Sequence, residues 1–300
     1  MTFAKTAPGE TTVGWIGTGL MGRFMAGHLL DAGYRLTVHT RTRSKAEALL
    51  ARGAHWADHP RALADACDVV VTMAGLPNEV EATFSGPEGA LTRARSGQLF
   101  VDMSTNRPSS ARAFAELAAS RGAAALDAPV SGGQAGAQAA TLSIMVGGDE
   151  GAVAAAEPLF RVMGKTIVHH GGPGSGQHAK LVNQTLIAGA MVGVCEALLY
   201  ARAAGLDMQR VLASVEKGAA GSWSLTNYAP RVLSGDFEPG FLVEHFIKDM
   251  AITLDEARRM GLSLPGLALV EQLYVAAKAQ GLGGKGVQAL WLALGHLSHH

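Results

Sequence analysis

Three observations predict an α/β doubly wound sheet followed by an all-helical C-terminal domain for this 300-residue chain. Up to about residue 173, short apolar runs alternate with helical stretches, the pattern of parallel strands covered by helices on both faces. The segment Gly171-Gly172-Pro173-Gly174-Ser175-Gly176 then interrupts the chain. Almost everything beyond it carries helical periodicity. The expected division is therefore 1–173 and 174–300.

The first strand is expected at 12–16 (Thr-Val-Gly-Trp-Ile), running directly into Gly17-Thr18-Gly19-Leu20-Met21-Gly22 and a helix. A strand, a glycine turn and a helix N-terminus in that order make a pyrophosphate-binding element of the Rossmann type. The first glycine permits the tight turn, the second lets a backbone approach phosphates, and the third lets helix and strand pack closely. With 38 glycines in the chain, the spacing recurs once more, at Gly281-Leu282-Gly283-Gly284-Lys285-Gly286. That copy follows a helical stretch and is expected to be a loop. The first copy makes Gly17, Gly19, Leu20, Met21 and Gly22 candidate cofactor-binding residues.

The second strand, 35–39, is followed by Thr40-Arg41-Thr42-Arg43-Ser44-Lys45. An acid that would hold a ribose 2′-hydroxyl is missing there, and three cations stand in its place. Thr40, Arg41, Thr42 and Lys45 are thus candidates for a 2′-phosphate site, which favours NADP and leaves NAD as the second choice. Ser44 and Glu47 have capping-box spacing for the next helix. Later strands are expected at 68–73, 98–102 and 123–127, with a helix over 109–121. Apolar runs at 142–146 and 166–168 are expected to extend the same sheet. A helix over about 176–204 would be roughly 40 Å long at 1.5 Å per residue. Its run from Leu186 to Cys195 is too short to span a bilayer, ends at Glu196, and is expected to be buried. So much apolar helix with few strands implies a homodimer or homotetramer.

Composition excludes several functions. Lysine plus arginine and aspartate plus glutamate each number 25, so no basic field favours nucleic acid or an anionic membrane. The first dozen residues lack an apolar leader core, and Cys67 and Cys195 have no pairing or metal spacing. Both point to a cytoplasmic protein with reduced thiols. His55 and His59 have no third ligand, His169-His170 reads as a loop and His299-His300 as a terminal remnant, so no metal site is expected.

In a doubly wound sheet, ligands bind beyond the carboxyl ends of the strands. Three such ends carry polar or small residues: 74–78, 102–105, and Asp127-Ala128-Pro129-Val130-Ser131-Gly132-Gly133. Ser131, Gly132 and Gly133 offer a hydroxyl and unhindered amides, a nest suited to a substrate carboxylate. Lys180 and Asn183 lie three apart, on one face near the start of the long helix. Apolar neighbours and the helix dipole both disfavour a charged lysine there, which suits an acid/base role. Reduction of a carbonyl by hydride needs one proton for the developing alkoxide, and Lys180 is the candidate donor, with Asn183 orienting substrate or nicotinamide.

These residues resemble a known family. Gly17-x-Gly19-x-Met21-Gly22, Asp127-Ala-Pro-Val-Ser131-Gly132-Gly133, Gly174-x-Gly176-x-x-x-Lys180-x-x-Asn183 and Phe246-Ile247-Lys248-Asp249-Met250 resemble, in order, the motifs of the β-hydroxyacid dehydrogenases. Members include 3-hydroxyisobutyrate dehydrogenase and the glyoxylate/succinic semialdehyde reductases. The resemblance implies a Rossmann domain, a helical domain and an active site between them. It implies that Lys180 is the acid/base and that Ser131, Gly132, Gly133 and Asn183 contact a small carboxylate substrate. Leu76, Pro77 and Thr105 would line the cofactor, Lys248 would reach its nicotinamide end, and Trp223 and Phe246 would shape the pocket. Thr18, Thr40 and Ala140 depart from the family pattern, Ala140 standing where glycine often precedes Thr-Leu. The expected reaction is NAD(P)-dependent interconversion of a short 3-hydroxy acid and its semialdehyde. Glyoxylate/succinic semialdehyde reduction is the alternative, followed by imine reduction, which usually lacks the lysine, and by a non-catalytic nucleotide-binding module.

Overall fold

The computed structural model describes residues 3–298; the terminal His299-His300 lies outside them. Two compact units are formed, Met1–Lys180 and Leu181–His300. The division falls inside a helix, a few residues beyond the glycine-rich segment at 171–176.

Six parallel strands build the first unit. They are β1 (Thr12–Ile16), β2 (Arg35–His39), β3 (His55–Trp56), β4 (Val69–Thr72), β5 (Leu99–Asp102) and β6 (Ala124–Asp127), ordered β3-β2-β1-β4-β5-β6. Thr12 pairs with Arg35 on one side, and Val13 with Val69 on the other. Every residue of β4, β5 and β6 is buried, which is why they read as continuous apolar runs rather than alternating ones. Helices α1 (Gly22–Asp31), α2 (Glu47–Leu50), α3 (Pro60–Ala66), α4 (Pro77–Ser85) and α5 (Pro108–Ala119) connect them. Three of these begin on proline, which lacks the amide that a first helical turn leaves unpaired anyway.

The later strands depart from expectation. β7 (Val130–Ser131), β8 (Leu142–Val146) and β9 (Gly164–His169) form a second, three-stranded sheet instead of extending the first. Pro129 follows β6 and has no amide to continue a ladder. The chain reverses there, and β7 runs antiparallel to β8 while β8 runs parallel to β9. A single antiparallel bridge, Asp127 to Gly147, reaches back to β6. His169 closes β9 instead of lying in a loop, its Nε2 within 3.0 Å of the Gly148 carbonyl oxygen and 2.8 Å of that of Gly171. Between α6 (Gly133–Gln138) and β8, Ala140 adopts φ +54°, the one described residue other than glycine with positive φ. After β8, α7 (Glu150–Met163) starts on the Asp149 carboxylate, which accepts from the Ala152 amide at 2.9 Å.

Helix α8 (Ser175–Ala203) continues into the second unit, which adds α9 (Met208–Val215), α10 (Trp223–Leu233), α11 (Val243–Arg259), α12 (Pro265–Ala277) and α13 (Leu290–Leu297). Ala188, Met191 and Cys195 of α8 join a core with Phe246, Met250, Tyr274 and Leu290. The expectation of a buried α8 needs correction. Val182, Leu186, Gly189, Gly193, Ala197 and Tyr200 are exposed and recur every three to four residues, so they form one uncovered stripe. By length and composition alone α8 is also long and apolar enough to cross a membrane, with 33% of its most apolar window buried. The second glycine-rich match, 281–286, departs from the expected loop: its first two residues end a π-helical turn (Lys278–Leu282), Gly283 and Gly284 turn, and Gly286 bridges to Leu242.

Candidate functional site

The glycine loop after β1 is built by close packing. Gly17 has φ +95°, and a Cβ there would lie 2.3 Å from the Met73 carbonyl oxygen at the end of β4. A Cβ on Gly22 would lie 2.1 Å from the Gly17 oxygen, whereas Gly19 faces open space. The first and third glycines therefore serve the fold, and the second leaves room for a ligand to meet the backbone. Thr18 Oγ1 is buried in this loop without a hydrogen-bond partner. A cavity of about 470 Å³ opens here, lined among others by Gly17, Thr18, Gly19, Thr40, Arg41 and Glu79. Its size, the open glycine backbone and the orphaned hydroxyl fit the adenosine and phosphate end of a dinucleotide.

Thr40, Arg41, Thr42 and Lys45 all line this cavity. Arg43 does not; its guanidinium lies over Trp56, 4.8 Å from the ring centre. Two cations rather than three thus face the ligand space. The Ser44–Glu47 capping box is absent. Residues 43–46 wind as a 3₁₀ turn whose Lys45 amide bonds the Thr42 carbonyl at 2.9 Å, and no side chain caps it. An acid does border the site, but from α4. Glu79 Oε2 accepts from the Gly75 and Leu76 amides at 3.1 and 3.2 Å, and Oε1 pairs with Arg41 Nη1 at 2.7 Å. Leu20 and Leu76 are exposed, and neither they nor Met21, Gly22 and Pro77 line this cavity.

At the carboxyl ends of β5 and β6 a buried polar cluster anchors the start of α8. Asp127 accepts from the Gly174 amide at 2.8 Å and the Gln177 amide at 2.7 Å. It does the work of an N-cap for a helix that begins 48 residues later. Gln177 Nε2 donates to the Ser104 carbonyl at 2.8 Å, and its Oε1 accepts from the Asn106 amide at 2.9 Å. Asn106 Nδ2 donates to Asp102 at 3.2 Å. Burial pushes the Asp102 carboxyl up to about 6, against the hydrogen bonds from Ser104 and Asn106; the nearby Asp127 adds to the rise. Burial likewise raises Asp127, opposed by the Gly174 and Gln177 amides. This arrangement fixes the turn that carries Lys180, which is 7% exposed. Thr105 lies within the same strand-end segment, next to Ser104 and Asn106.

The proposed carboxylate nest has the backbone such a nest needs. Gly132 and Gly133 have φ +135° and +61°, and Gly133 begins α6 just after Ser131 of β7.

In the second unit, a line of polar groups crosses the apolar core. Asn183 Nδ2 donates to Gln184 Oε1 at 2.7 Å, and Gln184 Nε2 donates to Asp249 Oδ2 at 2.5 Å. Lys248 Nζ lies 2.7 Å from the other Asp249 oxygen. Gln184 and Asp249 are buried and tie together two residues that the sequence singled out, Asn183 and Lys248. Phe246 is fully buried against Tyr274, at 5.1 Å between ring centres. Trp223 is exposed at the start of α10 and meets Tyr228 edge-on. Sequence reasoning missed Glu79, Gln177 and Gln184. Glu79 had a legible signal, an acid two residues after the proline that opens α4. No group of three His, Cys, Asp or Glu that could hold a metal occurs among the described residues; His59 instead caps α3 through Nδ1.

The fold and the glycine loop define a nicotinamide-dinucleotide-binding oxidoreductase, and comparison with known proteins gives its family. Residues 12–172 match the NAD-binding domain of 6-phosphogluconate dehydrogenase, and residues 174–294 match the NAD-binding region of NADP-dependent 3-hydroxyisobutyrate dehydrogenase. A probable 3-hydroxyisobutyrate dehydrogenase-like protein of Arabidopsis thaliana is 50% identical over 97% of this chain and 87% of its own length. The solved 3-hydroxyisobutyrate dehydrogenase of Mycobacterium tuberculosis with L-serine superposes with a TM-score of 0.84 at 32% identity, over 95% of this chain and 99% of that one. Psf3 in complex with NADP⁺ and 2-OPP superposes with a TM-score of 0.87 at 27% identity, over 94% of this chain and 100% of that one. The chain belongs to the β-hydroxyacid dehydrogenase family and is an NAD(P)-dependent oxidoreductase.

Proposed function

We propose that this enzyme interconverts a short 3-hydroxy acid and its semialdehyde or carbonyl form, preferring NADP to NAD. The observation that carries the reading is the buried Lys180 on a helix turn pinned by Asp127. A nicotinamide cofactor held by the glycine loop would supply the hydride for reduction of the carbonyl carbon and take it up in oxidation. Lys180 gives a proton to the developing alkoxide during reduction and takes it from the hydroxyl during oxidation. Asn183 orients the reacting group, and Ser131, Gly132 and Gly133 hold the substrate carboxylate. Trp223 and Phe246 shape the substrate pocket. Gly17, Gly19, Leu20, Met21, Gly22, Leu76, Pro77, Thr105 and Lys248 hold the cofactor, with Thr40, Arg41, Thr42 and Lys45 around its 2′-phosphate.

Support comes from the family, from a relative whose structure holds L-serine, itself a short 3-hydroxy acid, and from another that holds NADP⁺. In this reading 1–173 is the dinucleotide domain and 174–300 the substrate and assembly domain; the boundary between the separate matches over 12–172 and 174–294 supports the division, not the roles. The exposed stripe of α8 seats a second copy of the chain, giving a homodimer or homotetramer, and buried free Cys67 and Cys195 suit the cytoplasm. The test is a panel of short 3-hydroxy acids, semialdehydes, glyoxylate and neutral aldehydes, each with both nicotinamides. Carboxylate substrates with NADP should give the highest kcat/KM; equal turnover of neutral analogues removes the carboxylate nest from the mechanism.

A further inference from the structure

The cofactor cavity contains an acid as well as its two cations, and the acid comes from the opposite wall. Glu79 belongs to α4, whereas Arg41 follows β2. The carboxylate is held by its own loop: Oε2 accepts from the amides of Gly75 and Leu76, which leaves Oε1 directed at Arg41 Nη1, 2.7 Å away. Glu79 is largely shielded, with 20% of its side chain exposed, while the Arg41 side chain is 82% exposed. One partner is therefore fixed and the other is free to swing. An ion pair with one solvated member is weak and is exchanged readily for a better anion.

We propose that Glu79 is a specificity-determining residue that competes with the cofactor's 2′-phosphate for Arg41. This rests on the reading of Arg41 as a 2′-phosphate contact. A phosphate dianion offers the guanidinium more charge and a bidentate partner, so it takes Arg41 away from Glu79. The fixed carboxylate then remains beside that phosphate, bound to its two loop amides, and repels it. A ribose 2′-hydroxyl carries no charge and meets no such repulsion. Glu79 thus narrows the margin by which NADP is preferred and keeps NAD usable, in a site whose second strand ends without an acid.

The test uses the whole enzyme and two probes that differ by one group, adenosine 2′,5′-bisphosphate and 5′-AMP, with affinities measured by calorimetry. Glu79→Gln keeps the length of the side chain and an oxygen for the loop amides. It should tighten the bisphosphate about three- to tenfold and leave 5′-AMP within twofold, with an unchanged melting temperature. Arg41→Ala should weaken the bisphosphate selectively. In the Arg41→Ala background the Glu79→Gln gain should shrink, because the contest for the guanidinium is gone. Kinetics with NADPH and NADH should move in parallel. If Glu79→Gln leaves the ratio of the two affinities unchanged or lowers it, the competition is refuted, whatever Arg41→Ala does. If Arg41→Ala leaves the ratio unchanged, it is the 2′-phosphate contact of Arg41 that fails, and a gain in Glu79→Gln would then mark direct repulsion by Glu79 alone.

Discussion

The two units bury polar side chains in different ways. In the first, Asp102, Ser104, Asn106, Asp127 and Gln177 gather at the carboxyl ends of the strands, and main-chain amides and carbonyls satisfy most of their bonds. In the second, Gln184 and Asp249 form a thread through an apolar helical core and are satisfied by other side chains. Backbone partners arrive with the fold, so the first cluster tolerates loss of a neighbouring side chain. A side-chain thread is more vulnerable, because Gln184 and Asp249 are both buried and each is the other's hydrogen-bond partner. The difference teaches that loss of one side chain is a smaller structural event in the α/β cluster than in the helical thread.

The sharpest way to expose that difference is Lys180→Ala. It should lower kcat by about 10²–10⁴ while cofactor affinity and urea stability hold, as single-turnover hydride transfer, titration and denaturation together will report. A loss within tenfold would take Lys180 out of the mechanism. In the helical unit the outcome should invert. Asp249→Ala leaves Lys248 and Gln184 without their shared partner and should cost about 3 kcal/mol or more in urea unfolding. Unchanged stability with lost activity would break the contrast between the units.

A smaller effect should come from Asp102, and it depends on pH. Its carboxyl titrates near 6 in the fold against an ordinary 3.8. The folded state therefore holds the proton more tightly, so stability is greatest below about 4 and falls as pH rises through 6. Relative to Asp102→Asn, whose side chain does not ionise, the wild type should lose about 2–3 kcal/mol between pH 4 and pH 7. Parallel slopes for the two proteins would show that Asp102 carries no such linkage. Ala140→Gly should have the smallest effect. Relief of a left-handed alanine, partly offset by the freer unfolded glycine, should raise stability by about 0.5 kcal/mol, seen as a slightly higher melting temperature.

The same contrast governs what the sequence disclosed. The glycine loop, the continuous strands β4 to β6 and the place where α8 begins were legible because local rules set them: turn geometry, burial on both faces and a glycine-rich break. The second sheet was not, since Pro129 redirects the chain and pairing partners are a matter of tertiary position. The 3₁₀ turn at 43–46 replaced a capping box with the same spacing, because a main-chain bond closed the turn first. Gln184 lay beyond reach, for it acquires its role from Asp249, a partner chosen by the fold; Glu79 was legible as an acid in the first turn of α4, but its pairing with Arg41 was not. The exposed stripe on α8 escaped for the opposite reason: apolar composition says what wants covering, not whether the chain itself covers it.

The clasp that Asp127 makes has a consequence for the order of folding. Its two bonds to α8 close loops of 47 and 50 residues, so the first turn of that helix cannot be secured until β6 is in its place. The turn bearing Lys180 should then be a late arrival, with little native structure in the folding transition state. It should also be an early site of local opening, releasing its amides to exchange while the rest of α8 stays protected. On the proposed role of Lys180, the geometry that positions it should then be among the last things the chain acquires.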